Sequence, residues 1–214
     1  MCGRYSVATP PDQLAEHFNA TLPLPSPDQR PRQNAAPAQS LPVLLNDGSR
    51  QIAYLKWGLI PAWAKDPSIS NKLINARAET VAEKPSFRDA LNKRRCLVLA
   101  DAFYEWQKTS GGKKLPIKFS LADTAPFAFA GLWETWRDAQ NHVIHTFTII
   151  TTTANPLVAP IHDRMPVILP PAGQTLWLDN TASKADQLAL LVPFPSELMV
   201  YAAADPNILR DFAA

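Results

Sequence analysis

Between Leu41 and Thr153 the chain presents seven apolar runs of strand length, and they succeed one another through turns and one short helical stretch. The regular strand-helix alternation that builds a parallel sheet is missing. This pattern predicts an α+β fold, mainly antiparallel, with a barrel-like curved β-sheet core and short peripheral helices. The predicted strands cover 41–46, 50–57, 95–100, 102–107, 115–121, 127–133 and 143–153. Asp47-Gly48 turns the first pair, because glycine supplies the positive φ of a tight turn, and Ser110-Gly111-Gly112 turns a later one. A further short strand is expected over 165–169, helices over 84–94, 172–178 and 184–191, and a closing strand over 197–203.

Proline shapes the amino-terminal part. Eight of the 21 prolines fall between Pro10 and Pro42, against only seven glycines in the whole chain. Thr9 followed by Pro10 and Asp12 reads as a helix start, with Leu14, Ala15 and Phe18 on the apolar side of a helix near 10–19. Residues 22–38 hold too many prolines for a central strand and should run over the surface. The loop 57–64, Trp57-Gly58-Leu59-Ile60-Pro61-Ala62-Trp63-Ala64, is richer in aromatics than a solvent loop needs and reads as a core plug or a stacking surface.

With 214 residues, 46% hydrophobic and 19% charged, the chain fits a single folded domain spanning 1–214. Residues 1–20 hold no apolar run preceded by positive charge, and no stretch approaches a membrane span, so a cytoplasmic protein without a membrane partner is expected. Cys2 and Cys96 form no CxxC pair, so no zinc or other metal site and no disulfide framework are expected, and a bridge between the two is disfavoured in a reducing compartment. The net charge of +2 hides an asymmetry. Residues 1–120 carry 17 Lys and Arg against 10 Asp and Glu, and residues 121–214 carry 4 against 9, so a basic half of +7 precedes an acidic half of −5. A polyanion is a plausible partner for the first half, and solvated surface is the other account.

Four places concentrate chemistry. Trimming of Met1 would leave Cys2 as an amino-terminal aminothiol, whose amine and thiol ionise near pH 8 and 8.5 in the free state. Such a pair closes a five-membered thiazolidine on an aldehyde, which an internal cysteine does not do because its nitrogen is an amide. Residues Asn75-Ala76-Arg77-Ala78-Glu79-Thr80 are either a solvated turn or a group of hydrogen-bonding and phosphate-matching side chains. Glu105, in Phe103-Tyr104-Glu105-Trp106, is either an edge-strand carboxylate facing water or a proton donor with its pKa raised by apolar neighbours. His162, in Ile161-His162-Asp163-Arg164-Met165-Pro166, titrates near neutrality beside an aspartate and an arginine.

Met1-Cys2-Gly3-Arg4-Tyr5, Asn34-Ala35-Ala36-Pro37, Trp57 to Trp63, Asn75 to Thr80, Phe103 to Trp106 and Ile161 to Pro166 occur in that order. In this the chain resembles the SOS-response-associated peptidase (SRAP) family, from residue 2 to about 170. A monomer is expected, and the resemblance implies a protein without a cofactor that shields abasic sites in single-stranded DNA through a covalent crosslink on the amino-terminal cysteine. It further implies Cys2 as nucleophile, Glu105 as acid/base, His162 as assistant in sugar ring opening, and Asn75 as the side chain that holds the thiazolidine by hydrogen bonds. Arg4, Arg77 and Arg164 then take phosphates, Trp63 and Pro37 stack on or wedge against bases, and Thr151 lines the site. Ala64 and Gln33 stand where relatives carry aromatics, so a weaker wedge is expected. A hydrolase using Cys2 on an amide, and a non-covalent binder of single-stranded DNA, are the competing readings.

Overall fold

In the computed structural model residues 2–109, 111–205 and 207–208 are described. The strands in chain order are β1 (Tyr5–Val7), β2 (Arg32–Ala35), β3 (Ser40–Leu45), β4 (Ile52–Trp57), β5 (Asn75–Arg77), β6 (Arg95–Ala100) and β7 (Ala102–Lys108). They continue with β8 (Lys114–Leu121), β9 (Phe127–Arg137), β10 (Val143–Thr153), β11 (Arg164–Pro166), β12 (Ile168–Leu169) and β13 (Met199–Ala203). Among the described residues four short α-helices accompany them: α1 (Pro11–His17), α2 (Arg88–Lys93), α3 (Pro171–Leu178) and α4 (Lys184–Ala189).

Five strands close into a barrel, in the ring order β10, β4, β3, β6, β9 and back to β10. Every contact in that ring is antiparallel except β10 with β4, and β5 also adds to β10 in parallel. Closure leaves these strands no open edge, and their apolar faces fill the interior with few polar groups to satisfy. Trp57 stacks on Phe147, and Tyr5 meets Trp57 and Phe129 edge-on at 5.2 and 5.8 Å. A second, antiparallel sheet runs β13-β8-β7-β1-β2. It is joined to the barrel by the one-residue step from Ala100 over Asp101 to Ala102.

The α+β reading, the barrel and the Asp47-Gly48 hairpin hold, with Gly48 at φ +79°. Several local expectations do not. Thr9 does not cap α1; its hydroxyl and its N–H donate instead to Asp101 at 2.6 and 3.0 Å, and the cap position falls to Pro10, whose ring presets the first turn. Residues 32–35 leave the surface arm and pair with β1, where proline at 31 and 37 is tolerated because β2 is the outer strand. The helix expected over 84–94 shortens to α2, since 80–87 form turns. The strand at 165–169 splits at Val167, where the chain changes partner from β10 to β9. The turn placed at Ser110 lies partly outside the described residues. β1 and β5, three residues each, carry no periodic signal and were not anticipated as strands.

Loop 57–64 plugs the core and leaves one aromatic outside it. Trp57, Leu59 and Ile60 are buried, while Trp63 is 58% exposed. Gly58 makes the bend possible: its φ is +117°, and a Cβ there would stand 2.8 Å from the Ser70 carbonyl oxygen.

Candidate active site

Cys2 lies three residues before the start of β1, and β1 is gripped on both sides, by β2 and by β7. Asp101 anchors its far end through the N–H groups of Ala8 and Thr9 and the Thr9 hydroxyl. This holds the start of the chain, normally a frayed segment, against the junction of the two sheets. Cys2 is fully buried, and its Sγ lies 3.7 Å from the Arg4 carbonyl oxygen. Burial pushes its thiol well above the ordinary value, and the Glu105 carboxylate pushes the same way.

Asn75 comes from the barrel side. β5 lies alongside β10 with Asn75 opposite Ile149, and the indole N–H of Trp57 fixes the approach by donating to the Ile74 carbonyl at 2.8 Å. From there Asn75 Nδ2 donates to the Cys2 carbonyl at 2.8 Å, while its buried Oδ1 has no hydrogen-bond partner among the described residues. The 75–80 segment is therefore a strand followed by a turn, not a solvated turn throughout.

Glu105 stands on β7, opposite Ile117 of β8, and only 3% of it is exposed. This excludes the edge carboxylate facing water. Desolvation raises its pKa, and the nearby His162 partly opposes that rise. His162 closes a turn that begins at Asn155, with its N–H donating to Val158 O, and its Nε2 lies 4.0 Å from Glu105 Oε2. Its other nitrogen meets two partners. Nδ1 accepts from the Arg164 N–H at 3.0 Å, which fits the neutral ring protonated on Nε2 toward Glu105. Asp163 Oδ1 also lies 3.0 Å from Nδ1.

The arginines are disposed unequally. Arg4 points its Nη1 at the Gly3 carbonyl at 2.9 Å and stays half-buried. Arg77 is exposed at the end of β5, opposite Thr151. Arg164 is occupied: it forms a bidentate pair with Glu79 at 2.6 and 2.9 Å and donates to the Thr151 carbonyl at 2.7 Å. That pair holds the Glu79 carboxyl below its usual range. Thr151 is buried under this group. Pro37 is half-buried in a turn tied to β4 through the Ala38 N–H and the Trp57 carbonyl. Trp63 rims a separate depression of about 310 Å³ with Lys65, Asp66 and Lys72.

Folding thus brings Cys2, Asn75, Glu105 and His162 into one group, with Arg77, Thr151 and Arg164 beside it. Sequence reasoning missed two partners. Asp101, the single polar residue in a long apolar run, offered a signal; Glu79 offered none beyond lying two positions after Arg77. Both cysteines are free thiols, so no bridge links Cys2 to Cys96. Among the described residues no three His, Cys, Asp or Glu are grouped to hold a metal ion, and no helix is long and apolar enough to cross a membrane.

The same arrangement of strands recurs in solved structures. A protein from Bacteroides thetaiotaomicron superposes with a TM-score of 0.90 at 29% identity, covering 98% of this chain and 99% of that one. Among curated relatives, the abasic site processing protein YoqW of Bacillus subtilis is 44% identical over 201 residues, 93% of this chain and 90% of its own. The abasic site processing protein HMCES of Rattus norvegicus is 32% identical over 90% of this chain and 69% of its own. The family model for SOS response associated peptidase (SRAP) matches residues 1–208, and the chain belongs to the SRAP family.

Proposed function

We propose that the protein captures abasic sites in single-stranded DNA as a covalent thiazolidine on Cys2, once Met1 has been removed. The observation that carries this reading is the convergence on Cys2 of a hydrogen-bonding amide from Asn75 and of a buried Glu105 with the half-buried His162 beside it. YoqW and HMCES, named as abasic site processing proteins, support it.

The chemistry follows from the groups. An abasic deoxyribose is mostly a closed hemiacetal, so opening it takes a proton from the C1′ hydroxyl and delivers one to the ring oxygen. Glu105, with a raised pKa, and His162 supply one acid and one base. The free Cys2 amine then adds to the aldehyde carbon and water leaves, giving a protonated Schiff base. The thiol enters second. Burial keeps it protonated until the neighbouring iminium charge favours the thiolate, which adds to the same carbon as its proton passes to a base. The balance is aldehyde plus aminothiol giving thiazolidine plus one water. Asn75 Oδ1, buried and without a hydrogen-bond partner among the described residues, is available to the ring N–H of the product. Arg4 and Arg77 take phosphates without reading bases, as a lesion that lacks a base requires, and Trp63 offers a stacking face. Removal of Met1 by this same site is the finer part of the reading, and the peptidase in the family's name fits it.

The test is incubation of Met1-free protein, verified by mass spectrometry, with single-stranded DNA holding one abasic site. A denaturant-resistant adduct of the mass expected after loss of one water, absent with Cys2→Ala, is the expected result. No adduct with fully processed protein would overturn the reading.

A further inference from the structure

The hairpin of β7 and β8 carries an arrangement that folding alone does not favour. Lys108 and Lys114 are direct cross-strand partners, both exposed. Like charges facing each other across an antiparallel pair are destabilising. The same sheet face continues with Trp106 opposite Pro116 and Tyr104 opposite Lys118, so cations and aromatics alternate along it. None of the ion pairs among the described residues engages Lys108, Lys114 or Lys118.

The position matters as much as the charge. A cleft of about 590 Å³ runs along β7 beyond the reach of β1, with Glu105, Trp106, Lys108, Lys114, His162 and Asp163 among its lining residues. It brings the lysine pair, from the Tyr104-Trp106 face of the hairpin, into one depression with Glu105, which alternation places on the other face. Arg77 and Arg164 lie on strands paired with β10 in the barrel sheet, whereas the lysines belong to the second sheet. Cations therefore occur on both sides of the line where the two sheets meet at Glu105 and His162. From Glu105 to Lys108 along the strand is about 10 Å, or about three nucleotides of a stacked strand at 3.4 Å each.

We propose that the Lys108-Lys114 pair grips the phosphates of one arm of the DNA strand, the arm that leaves the lesion along the β7 cleft, while Arg77 and Arg164 serve the other arm. The proposal rests on the abasic-site reading for the placement of the lesion at Glu105 and His162. A polyanion bridging two facing ammonium groups removes the repulsion that the free protein carries, which accounts for the paired lysines.

The experiment uses the full chain with Lys108→Gln/Lys114→Gln, in a Cys2→Ala background for equilibrium binding and with Cys2 intact for crosslinking. Two lost phosphate contacts on a single strand lower the slope of log affinity against log salt by about 1.4. Between 50 and 200 mM salt the parent should lose about sevenfold more affinity than the variant. Strands cut back to one nucleotide beyond the lesion on one side should reduce the parent to the variant's slope, and strands cut on the other side should preserve the difference. An unchanged slope in the variant, or equal effects of both truncations, would overturn the proposal. If protein with Cys2 intact forms no adduct, the abasic-site reading falls, while the slope and truncation data still decide whether the hairpin grips a strand. Without DNA, the variant should melt no lower than the parent, because a repulsion has been removed; a lower melting temperature overturns the like-charge argument.

Discussion

If Arg164 is to bind a phosphate it must release Glu79, and that exchange gives a measurable prediction. The bidentate pair, at 2.6 and 2.9 Å, has an arginine side chain 12% exposed and a glutamate side chain 48% exposed. Half-open geometry of this kind is worth about 1 kcal/mol, the upper end for ion pairs in contact with water. Glu79→Gln removes the competing carboxylate. We therefore expect about fivefold tighter binding of single-stranded abasic DNA at low salt, since 1.4 kcal/mol corresponds to tenfold. The variant should also show a salt slope steeper by up to 0.7, if Arg164 engages a phosphate only fractionally in the parent. Fold stability should fall by no more than about 1 kcal/mol. The assay is fluorescence anisotropy over a salt series in a Cys2→Ala background, repeated with Arg164→Ala. In that second background the gain from Glu79→Gln should vanish. No gain in the single variant, or a gain that survives without Arg164, would refute the argument and leave Arg164 a structural partner of Glu79 and Thr151.

Three further outcomes are expected. Because desolvation holds Glu105 above its ordinary value of 4.5, the native state binds more protons than the unfolded chain above that pH, and stability falls as pH rises through the window. Glu105→Gln lacks this loss, so its melting temperature should gain on the parent's as pH rises above 4.5 while adduct formation collapses; a difference independent of pH would show that the carboxyl is not desolvated. Asp101→Ala deprives two backbone N–H groups and one hydroxyl of their acceptor and should cost about 2 to 4 kcal/mol in chemical denaturation, and adduct formation should slow at temperatures where the fold is intact, because the anchor of β1 is the anchor of Cys2. Unchanged stability would mean the anchor is dispensable. Gly58→Ala should destabilise by about 2 kcal/mol or more, since it adds a strained φ to a contact of 2.8 Å with Ser70 O; a loss under 0.5 kcal/mol would mean the loop relaxes freely.

Long elements were legible from the sequence because hydrophobic periodicity persists over them: β6, β7, β8, β9 and β10 stand where apolar runs placed them. Short ones were not. β1 and β5 are three residues each and owe their existence to neighbours far along the chain, Ala35 and Phe103 in one case and Ile149 to Thr151 in the other. Local rules also failed where a tertiary partner outbid them, as when Asp101 took the Thr9 hydroxyl from helix α1.

By itself the sequence determined the class of fold, through the succession of strand-length runs, and the inventory of chemistry: a cysteine at position 2, a glutamate, a histidine, an asparagine and a basic half of the chain. It left open whether Glu105 was buried, whether Asn75 sat in a turn, and what each arginine faced. Those depended on tertiary structure because each is a relation between distant segments: Glu105 and His162 are 57 residues apart, Asn75 and Cys2 73, and Arg164 and Glu79 85. Desolvation raises the Glu105 pKa only because the two sheets close over it. Asn75 reaches the Cys2 carbonyl only because β5 docks in parallel on β10. The facing of Lys108 and Lys114 likewise arises from the strand register, which no spacing in the sequence displays.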